Sequence, residues 1–430
     1  MQKVACVFSF KMSSWVSCQK IVFNLHRAWS LTPDLELLDY NYSSNQSPAD
    51  IYKLAHDLFT AKPEVIVIMD HKPHPMALLH ILLPLYLNEP KPPRFIFHIF
   101  GDFSLYYQEW NALSGMLKNL KIDFIVASER QKLLIDKMLM APLKSFICPF
   151  PVDEKEFFYA TQNRISQRKV WGISDGDIAF IFTGRLTLQK RIHTLVSTFA
   201  STVKELGCEN AHLFIYGNTD DIGDPFMGKW ETTGEYFRKI HRIYHSQDDE
   251  VRKKIHFMGN VPNEELAQVY QGADVLVNLS VHNDEDYGMS VAEAQACGLP
   301  SILTDWGGLA GFRIPKLDTA TIFIPVKIGN TSKVISKSKV KEAFAAFIEA
   351  GASEQRKSIS DSSLKKFSIE AAQEQLKLVL KHPPKPFDDF SVFFRKVCSK
   401  HKLTKTPYIT RTQHVTNIYR EIYSAYVSGN

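Results

Sequence analysis

The sequence predicts an α/β protein with two doubly wound parallel sheets. Short apolar, β-branched runs alternate with helical patterns over the first 145 residues, and the same alternation starts again after a proline-rich junction. Strands that alternate with helices imply right-handed crossovers and parallel pairing. The chain has 430 residues, whereas one domain typically has roughly 150, so two domains are expected.

The predicted strands are short and apolar, as expected of strands that are buried on both faces of a sheet. In the first half, the patterns predict strands at Val4–Phe8, Val65–Met69, Phe95–Phe100 and Phe124–Ala127, and helices at Cys18–Trp29, Met76–Leu87 and Trp110–Leu120. In the second half, they predict strands at Ala179–Thr183, His212–Tyr216, Lys254–Met258, Val275–Leu279 and Ser301–Leu303, with helices between them.

The domain boundary is predicted at Cys148–Asp153, where two prolines disfavour regular structure. Residues 1–150 then form the first domain and residues 151–384 the second.

Residues 385–430 are predicted to be helices that pack back on the first domain through their aromatic side chains. Since residues 381–430 hold nine Lys or Arg against three Asp or Glu, the alternative is a surface for an anionic membrane or acceptor. The insert at residues 218–249 is irregular, with a helix predicted from Gly234 to Tyr244.

Composition excludes several classes of protein. A net charge of +5 is too weak to indicate nucleic-acid binding. The six cysteines form no C-x-x-C pair, which favours reduced thiols in the cytoplasm over a disulfide or zinc framework. No apolar run approaches the ~18 residues that a membrane helix needs. We therefore expect a cytoplasmic protein, with peripheral contact at the inner face of the membrane as the alternative.

The stretch Ala273–Gly308 contains a strand, a polar loop, a helix and a second strand. The loop runs from Ser280 to Tyr287, and the helix begins after Gly288. A ligand site is expected at the carboxyl end of the first strand, where the N–H groups of the helix point outward. Glu285 in the loop and Glu293 in the helix bracket this opening.

The segment Ala179–Arg191 predicts an anion site. Its strand ends at Gly184, which lets a ligand approach the backbone, and Arg185 and Lys190 follow as a helix begins. Basic residues at a helix start oppose the helix dipole, so their presence indicates a bound anion such as a diphosphate. The alternative is that these cations only cover surface.

The two glutamates suit a sugar ligand, because a carboxylate accepts hydrogen bonds from the vicinal hydroxyls of a ribose or hexose. Asp284 and Asp286 flank Glu285 and resemble the D-x-D metal motif of another class of sugar transferase. The phosphate-binding pattern of cations and helix N–H groups favours a site without metal.

The run from Glu285 to Glu293, followed by Gly298 and Pro300, is similar to the E-x7-E signature of retaining glycosyltransferases of family 4. The similarity covers about residues 146–308. It implies a GT-B fold, in which two Rossmann-like domains face each other across a cleft, and a nucleoside-diphosphate-sugar donor without a cofactor. By this resemblance Arg185 and Lys190 bind the diphosphate, Glu293 the ribose and Glu285 the transferred sugar. Contacts to the phosphates or the base are implied for Gly184, Met258, Val261, Gly288, Met289 and Ser290.

The first domain departs from this family pattern. Ser13 and Ser14 occupy a position where many members have a Gly pair. The usual histidine of the catalytic side is replaced by His98 or Asp102, which we predict as catalytic candidates, with a structural histidine as the alternative. His71 and His74 are candidates for contacts with the acceptor, which is a glycan, a lipid or a protein.

The implied reaction is sugar transfer with retention at the anomeric carbon. No protein nucleophile is evident, and by resemblance the leaving phosphate deprotonates the acceptor. Two alternatives stay open: another GT-B enzyme, such as a sugar-nucleotide epimerase or a phosphorylase, and a catalytically silent protein that binds nucleotide-sugars.

Overall fold

The computed structural model describes residues 1–10, 16–43, 45–69, 75–140, 143, 145–221, 233–329, 332–351, 353–401 and 416–427. They form two compact units: the first is drawn from Met1–Pro151 and Phe367–Lys405, and the second from Val152–Lys366 and Thr406–Asn430. Each unit contains one six-stranded sheet, and its strands pair in parallel. The structure confirms the predicted α/β class with two parallel sheets.

The sheet of the first unit has the strand order β2-β1-β3-β4-β5-β6. Its central strands are buried on both faces, which explains their uninterrupted apolar sequences. The strands are β1 Gln2–Phe8, β2 Leu35–Asn41, β3 Val65–Ile68, β4 Arg94–His98, β5 Lys121–Val126 and β6 Phe146–Ile147, and the helices are α1 Val16–Ser30, α2 Pro48–Ala61, α3 Met76–Tyr86, α4 Tyr107–Leu117 and α5 Glu129–Met138.

The sheet of the second unit has the order β12-β11-β10-β7-β8-β9. Its strands are β7 Ile178–Thr183, β8 Ala211–Tyr216, β9 Ile255–Gly259, β10 Val275–Asn278, β11 Ser301–Thr304 and β12 Thr321–Ile324, and a hairpin of β13 Val326–Ile328 and β14 Lys333–Ile335 follows. Its helices are α6 Gln162–Trp171, α7 Ile192–Leu206, α8 Glu235–His245, α9 Asp249–Arg252, α10 Asn263–Gly272, α11 Met289–Ala296, α12 Lys337–Ala350 and α13 Arg356–Phe367. Since β7 and β10 are adjacent in this sheet, the two motifs singled out in the sequence follow neighbouring strands.

The edge strand β2 and helix α2 were not predicted from the sequence. Strand β2 is only partly buried along its length, so it lacks the apolar run that marks the central strands. Helix α2 does carry a sequence signal: Ser47 caps it, Asp50 completes the capping box and Pro48 occupies the first turn. The predicted helix of the insert corresponds to α8, and residues 222–232 of that insert lie outside the described residues.

The chain returns to the first unit earlier than predicted. Helix α14, Ile369–Lys381, packs against α1, and α15, Val392–His401, packs against α4 and α5. The buried Arg94 side chain pairs with Asp123 and donates to the carbonyl oxygens of Val379 and Leu380, at 2.8 and 3.2 Å. Those carbonyls lie in the last turn of α14, where a cation is favourable. The boundary predicted at residue 385 is therefore corrected to Phe367.

The last helix, α16 Thr416–Tyr423, belongs to the second unit. The prediction that all of residues 385–430 pack on the first domain is therefore wrong for this helix. Its tyrosines, Tyr419 and Tyr423, are buried, and so is Phe394 of α15. Buried rings offer no surface to a membrane, so these three side chains do not support the membrane alternative. Among the described residues, no helix has the length and apolarity needed to span a membrane.

Candidate active site

The carboxyl ends of β7, β8 and β9 are joined by backbone contacts. The Gly184 N–H donates to the carbonyl oxygen of Tyr216 at 3.1 Å, and the Gly217 N–H donates to that of Gly259 at 2.8 Å. A Cβ added to Gly217, whose φ is +131°, would lie 1.9 Å from the oxygen of Gly184. Only glycine allows the two loops to cross so closely, so Gly217 sets the position of the segment that carries Arg185.

Arg185 projects from this segment, and its side chain is 36% exposed. Its Nη1 lies 2.8 Å from a carboxylate oxygen of Asp220. Asp220 follows β8 and reaches Arg185 because Leu186 and Asn218 are joined by a backbone hydrogen bond of 2.8 Å. The guanidinium is thus oriented by a carboxylate and remains partly open to solvent.

Lys190 forms an ion pair with Glu285. The Glu285 side chain is 7% exposed and that of Lys190 is 18% exposed. Burial raises the pKa of the Glu285 carboxyl, but the Lys190 ammonium and a hydrogen bond to Ser280 lower it, and the net shift is downward. Because its pKa in the folded state lies below the usual 4.5, the charged carboxylate stabilises the fold above that pH. This contribution is lost as the pH falls through the folded-state pKa.

The loop between β10 and α11, residues 280–287, is here called the donor loop, after the donor predicted from the sequence. His282 is buried in it, and its Nδ1 accepts a hydrogen bond of 2.9 Å from the Asp284 N–H. Burial lowers the pKa of His282 to about 3, so the imidazole is neutral at neutral pH and its proton is on Nε2. Acidification below about 6.5 protonates this histidine first in the unfolded state, which destabilises the fold.

Glu293 lies in the second turn of α11 and is partly exposed. The hydroxyl of the fully buried Tyr270 donates to its Oε2 at 3.5 Å and lies 2.7 Å from Thr183 Oγ1. Thr183 is the last residue of β7. Tyr270 on α10 therefore links Glu293 to the strand that leads to Arg185. The sequence reasoning did not select Tyr270, because a tyrosine in an amphipathic helix shows no binding pattern of its own.

Helix α11 begins at Met289, and no side chain caps its N-terminus. Gly288 has φ +122°, and an added Cβ would lie 2.8 Å from the Leu309 side chain. Gly288, Met289 and Ser290 are each partly exposed. The first N–H groups of the helix thus form a local electropositive end on the segment that joins Glu285 to Glu293.

Met258 and Val261 lie at the end of β9 and just beyond it. Met258 is 39% exposed, which leaves apolar surface beside Gly259, the residue that contacts Gly217. The predicted donor-site residues of the second domain therefore lie on adjoining strand ends of one sheet.

The two catalytic candidates of the first unit have structural partners. His98 is buried in β4, where its Nε2 accepts a hydrogen bond of 3.2 Å from Trp29 Nε1. Burial lowers its pKa to about 3, so this ring is neutral. Asp102 is also buried, and it accepts hydrogen bonds from the N–H and hydroxyl of Ser104 at 2.8 and 2.6 Å, capping a short 3₁₀ helix. These contacts favour the structural alternative for His98 and give Asp102 a capping role.

Four further residues named in the sequence analysis, Ser13, Ser14, His71 and His74, lie outside the described residues. Within the part of the chain that the structure does describe, no group of three or more His, Cys, Asp or Glu is arranged to hold a metal ion.

The family model of the glycosyl transferases group 1 matches residues 163–338. This stretch of the chain is therefore similar to the group 1 glycosyl transferases. It contains β7 to β12, both cations and both glutamates, so the predicted donor-site residues described above fall inside the matched stretch.

Curated relatives match this chain over part of their length. An uncharacterized glycosyltransferase of Methanocaldococcus jannaschii is 30% identical over 148 residues, which are 34% of this chain and 32% of the relative. N-acetyl-alpha-D-glucosaminyl L-malate synthase of Bacillus anthracis is 26% identical over 158 residues, which are 37% of this chain and 35% of that protein. The chain thus matches about a third of the length of these relatives.

Solved structures extend the likeness to both units. HepE of Anabaena, solved with UDP and glucose, has a TM-score of 0.60 at 12% identity, over 88% of this chain and 99% of HepE. WaaG, a glycosyltransferase involved in lipopolysaccharide biosynthesis, has a TM-score of 0.54 at 14% identity, over 89% of this chain and 100% of WaaG. The likeness confirms the predicted GT-B fold, and the stretch that the family model matches lies in the second unit.

Proposed function

We propose that this protein transfers a sugar from a nucleoside-diphosphate-sugar donor to an acceptor, with retention at the anomeric carbon. The observation that carries the proposal is the arrangement of Arg185, Lys190, Glu285 and Glu293 around adjoining strand ends of the second unit. Cations suit a diphosphate and carboxylates suit sugar hydroxyls. HepE, which shares the fold, was solved with UDP and with UDP-glucose, which supports a donor of this class.

The ion pair between Lys190 and Glu285 has to change when a diphosphate binds Lys190. The Lys190 ammonium is neutralised by the Glu285 carboxylate. A diphosphate that binds Lys190 therefore replaces or shares this partner, and Glu285 becomes available to the hydroxyls of the sugar. Arg185, oriented by Asp220, binds the same diphosphate from the strand end beside β8.

Charge develops on the leaving diphosphate oxygen as the glycosidic bond breaks. Arg185, Lys190 and the N–H groups at the start of α11 stabilise this charge where it appears. Glu293 binds the ribose, and the Tyr270 hydroxyl orients its carboxylate. The leaving phosphate oxygen takes the proton of the acceptor hydroxyl on the same face of the sugar. The acceptor is a glycan, a lipid or a protein, bound through the first unit.

The test is incubation with a panel of radiolabelled sugars of UDP, GDP and ADP in the absence of acceptor. A glycosyltransferase is expected to hydrolyse its donor slowly, because water replaces the acceptor. A thermal-shift screen with UDP, GDP and ADP identifies the base, since a ligand at 100 times its Kd stabilises the folded state by about 2.7 kcal/mol. Nucleotide binding without hydrolysis of any donor sugar would instead identify a silent binding protein.

Arg185→Ala is expected to weaken nucleoside-diphosphate binding by about 1.5–3 kcal/mol, the scale of a hydrogen bond to a charged group. Because the Arg185 side chain is 36% exposed, its ion pair adds little to stability, and the free energy of unfolding is expected to change by less than ~1 kcal/mol. Calorimetry with UDP measures the first effect. Lys204→Ala removes the same charge from an exposed pair with Asp248 and serves as the control. Equal affinity losses in both variants would show a general charge effect and no site at Arg185.

Activity is expected to survive treatment with EDTA, because cations and the helix N-terminus supply the positive charge that a divalent ion supplies elsewhere. Donor hydrolysis before and after chelation measures this. Loss of activity that manganese restores would contradict the proposal and would identify Asp284 and Asp286 as metal ligands.

A further inference from the structure

The last helix, α16, contacts the donor loop through Asn283, which is fully buried. The Asn283 side-chain amide donates to the Tyr423 hydroxyl at 2.8 Å, and its carbonyl oxygen accepts from the Tyr419 hydroxyl at 3.3 Å. Both tyrosines are buried as well. Because a buried amide requires partners on both of its atoms, these bonds fix the orientation of Asn283, two residues before Glu285.

A buried lysine completes this contact. Lys333 of β14 is 1% exposed, and its ammonium donates to the same carbonyl oxygen of Asn283. The ammonium also lies 5.1 Å from the ring centre of Trp306 and 5.8 Å from that of Tyr419. Aromatic faces attract a desolvated cation. The Lys333 ammonium therefore contacts Asn283 and also the aromatic rings of Trp306 and Tyr419.

The segment after β11 holds the other side of the donor loop. Trp306 Nε1 donates to the carbonyl oxygen of His282 at 2.7 Å, and the Gly308 N–H donates to that of Glu285 at 2.7 Å. The Trp306 ring packs on Tyr423 and Tyr426, with ring centres 5.9 and 5.5 Å apart. The loop thus lies against a surface that α16 and the residues after it help to form.

The same loop is bound to the segment that carries Lys190. The Val281 N–H donates to the backbone oxygen of Gln189 at 2.9 Å, and the Asn283 N–H donates to the Gln189 side-chain oxygen at 3.3 Å. Gln189 directly precedes Lys190. Asn283 therefore connects α16 to both members of the ion pair between Lys190 and Glu285.

We propose that α16 positions the donor loop, and that Tyr423, Asn283 and Lys333 are positioning residues that set where the Glu285 carboxylate meets the transferred sugar. The claim that α16 fixes the conformation of the loop depends only on the contacts described above. The catalytic part rests on the proposed function, because it requires a sugar bound at Glu285. Two of the aromatic C-terminal residues, Tyr419 and Tyr423, thereby gain a role at the predicted donor site.

Tyr423→Phe tests the proposal, since it removes one hydroxyl and keeps the packed ring. Hydrogen exchange of peptides that cover residues 280–287 is expected to become about five-fold faster, as for the loss of one hydrogen bond that limits local opening. Donor turnover is expected to fall about five- to ten-fold while the Kd for UDP stays within about two-fold, because sugar placement and not diphosphate binding is disturbed. Asn283→Ala, which removes the bonds to α16 and to Lys333 together, is expected to show larger effects in the same directions.

Tyr86→Phe is the matched control. Tyr86 lies in the first unit, and its buried hydroxyl has no hydrogen-bond partner among the described residues. Its removal is expected to leave exchange of residues 280–287 unchanged. Equal exchange of the loop in wild type and Tyr423→Phe would overturn the proposal. If the exchange effect is found but no variant, wild type included, hydrolyses a donor, the proposed function fails while the positioning of the loop stands.

Discussion

Glu285→Gln is expected to lower donor turnover by about 10²-fold while leaving UDP affinity unchanged or higher. The carboxylate pairs with Lys190, so it competes with a diphosphate for that cation. Glutamine keeps the shape but carries no charge, and Lys190 becomes free for the phosphate. The loss of turnover follows because the sugar is no longer held in the reactive geometry. Calorimetry with UDP and single-turnover hydrolysis of a UDP-sugar measure the two quantities separately.

Glu293→Gln is the matched comparison. It removes the same charge as Glu285→Gln, but from helix α11 instead of the donor loop. Glu293 is assigned to the ribose, which is present in both UDP and the donor. Its variant is expected to weaken the binding of both ligands by a similar factor. If the two variants change affinity and turnover alike, Glu285 and Glu293 do not contact different parts of the ligand.

Asp274→Asn is expected to lower the free energy of unfolding by about 3–5 kcal/mol, as when one partner of a buried ion pair is removed. Asp274 is 1% exposed and lies 2.8 Å from Arg164 Nη1 and 3.0 Å from Arg168 Nη1. It also accepts the Ala179 N–H at 2.8 Å. Asparagine retains an acceptor for that N–H but removes the buried countercharge of the Arg168 side chain, which is 3% exposed. The carboxylate that remains near Arg168 is that of Asp175, at 3.7 Å and 82% exposed. Urea denaturation measures the difference.

Asp175 supplies the control for this prediction, because it pairs with the same Arg164 at 3.2 Å but is 82% exposed. Asp175→Asn is expected to change stability by less than ~1 kcal/mol, since solvent screens an exposed pair. Comparable losses in the two variants would mean that burial does not control the effect.

The donor site was more predictable than its surroundings. Gly184 and Arg185 follow an apolar strand directly, and the loop that carries Glu285 follows the neighbouring strand, so strand order and parallel pairing were enough to bring them to one edge of a sheet. The pairing of Lys190 with Glu285 was not predictable, because each side chain was assigned to a ligand and no protein partner was assigned to either. Asp220 was missed for a similar reason: it reaches Arg185 only through a backbone contact between two loops.

The first unit shows a choice that the sequence left open. His98 was a catalytic candidate because the resembled family has a histidine near this strand end, and a structural histidine was the alternative. Strand β4 is buried on both faces, so a histidine there meets the core, and Trp29 satisfies it. No periodicity in the sequence distinguishes a core histidine that has an indole donor from one that faces a ligand.

The order in which the chain must fold follows from the bond between Asn283 and Tyr423, which are 140 positions apart. Between them lie α14 and α15, which belong to the first unit. Each unit therefore contains a segment that is translated after most of the other unit. For the first unit this segment begins at Phe367, and for the second unit it contains α16. Domains commonly fold one after another during synthesis, starting at the N-terminus. Here neither unit is complete when the boundary at Pro151 emerges, and the donor loop reaches its final contacts only after Tyr423, 140 positions beyond Asn283, has been translated.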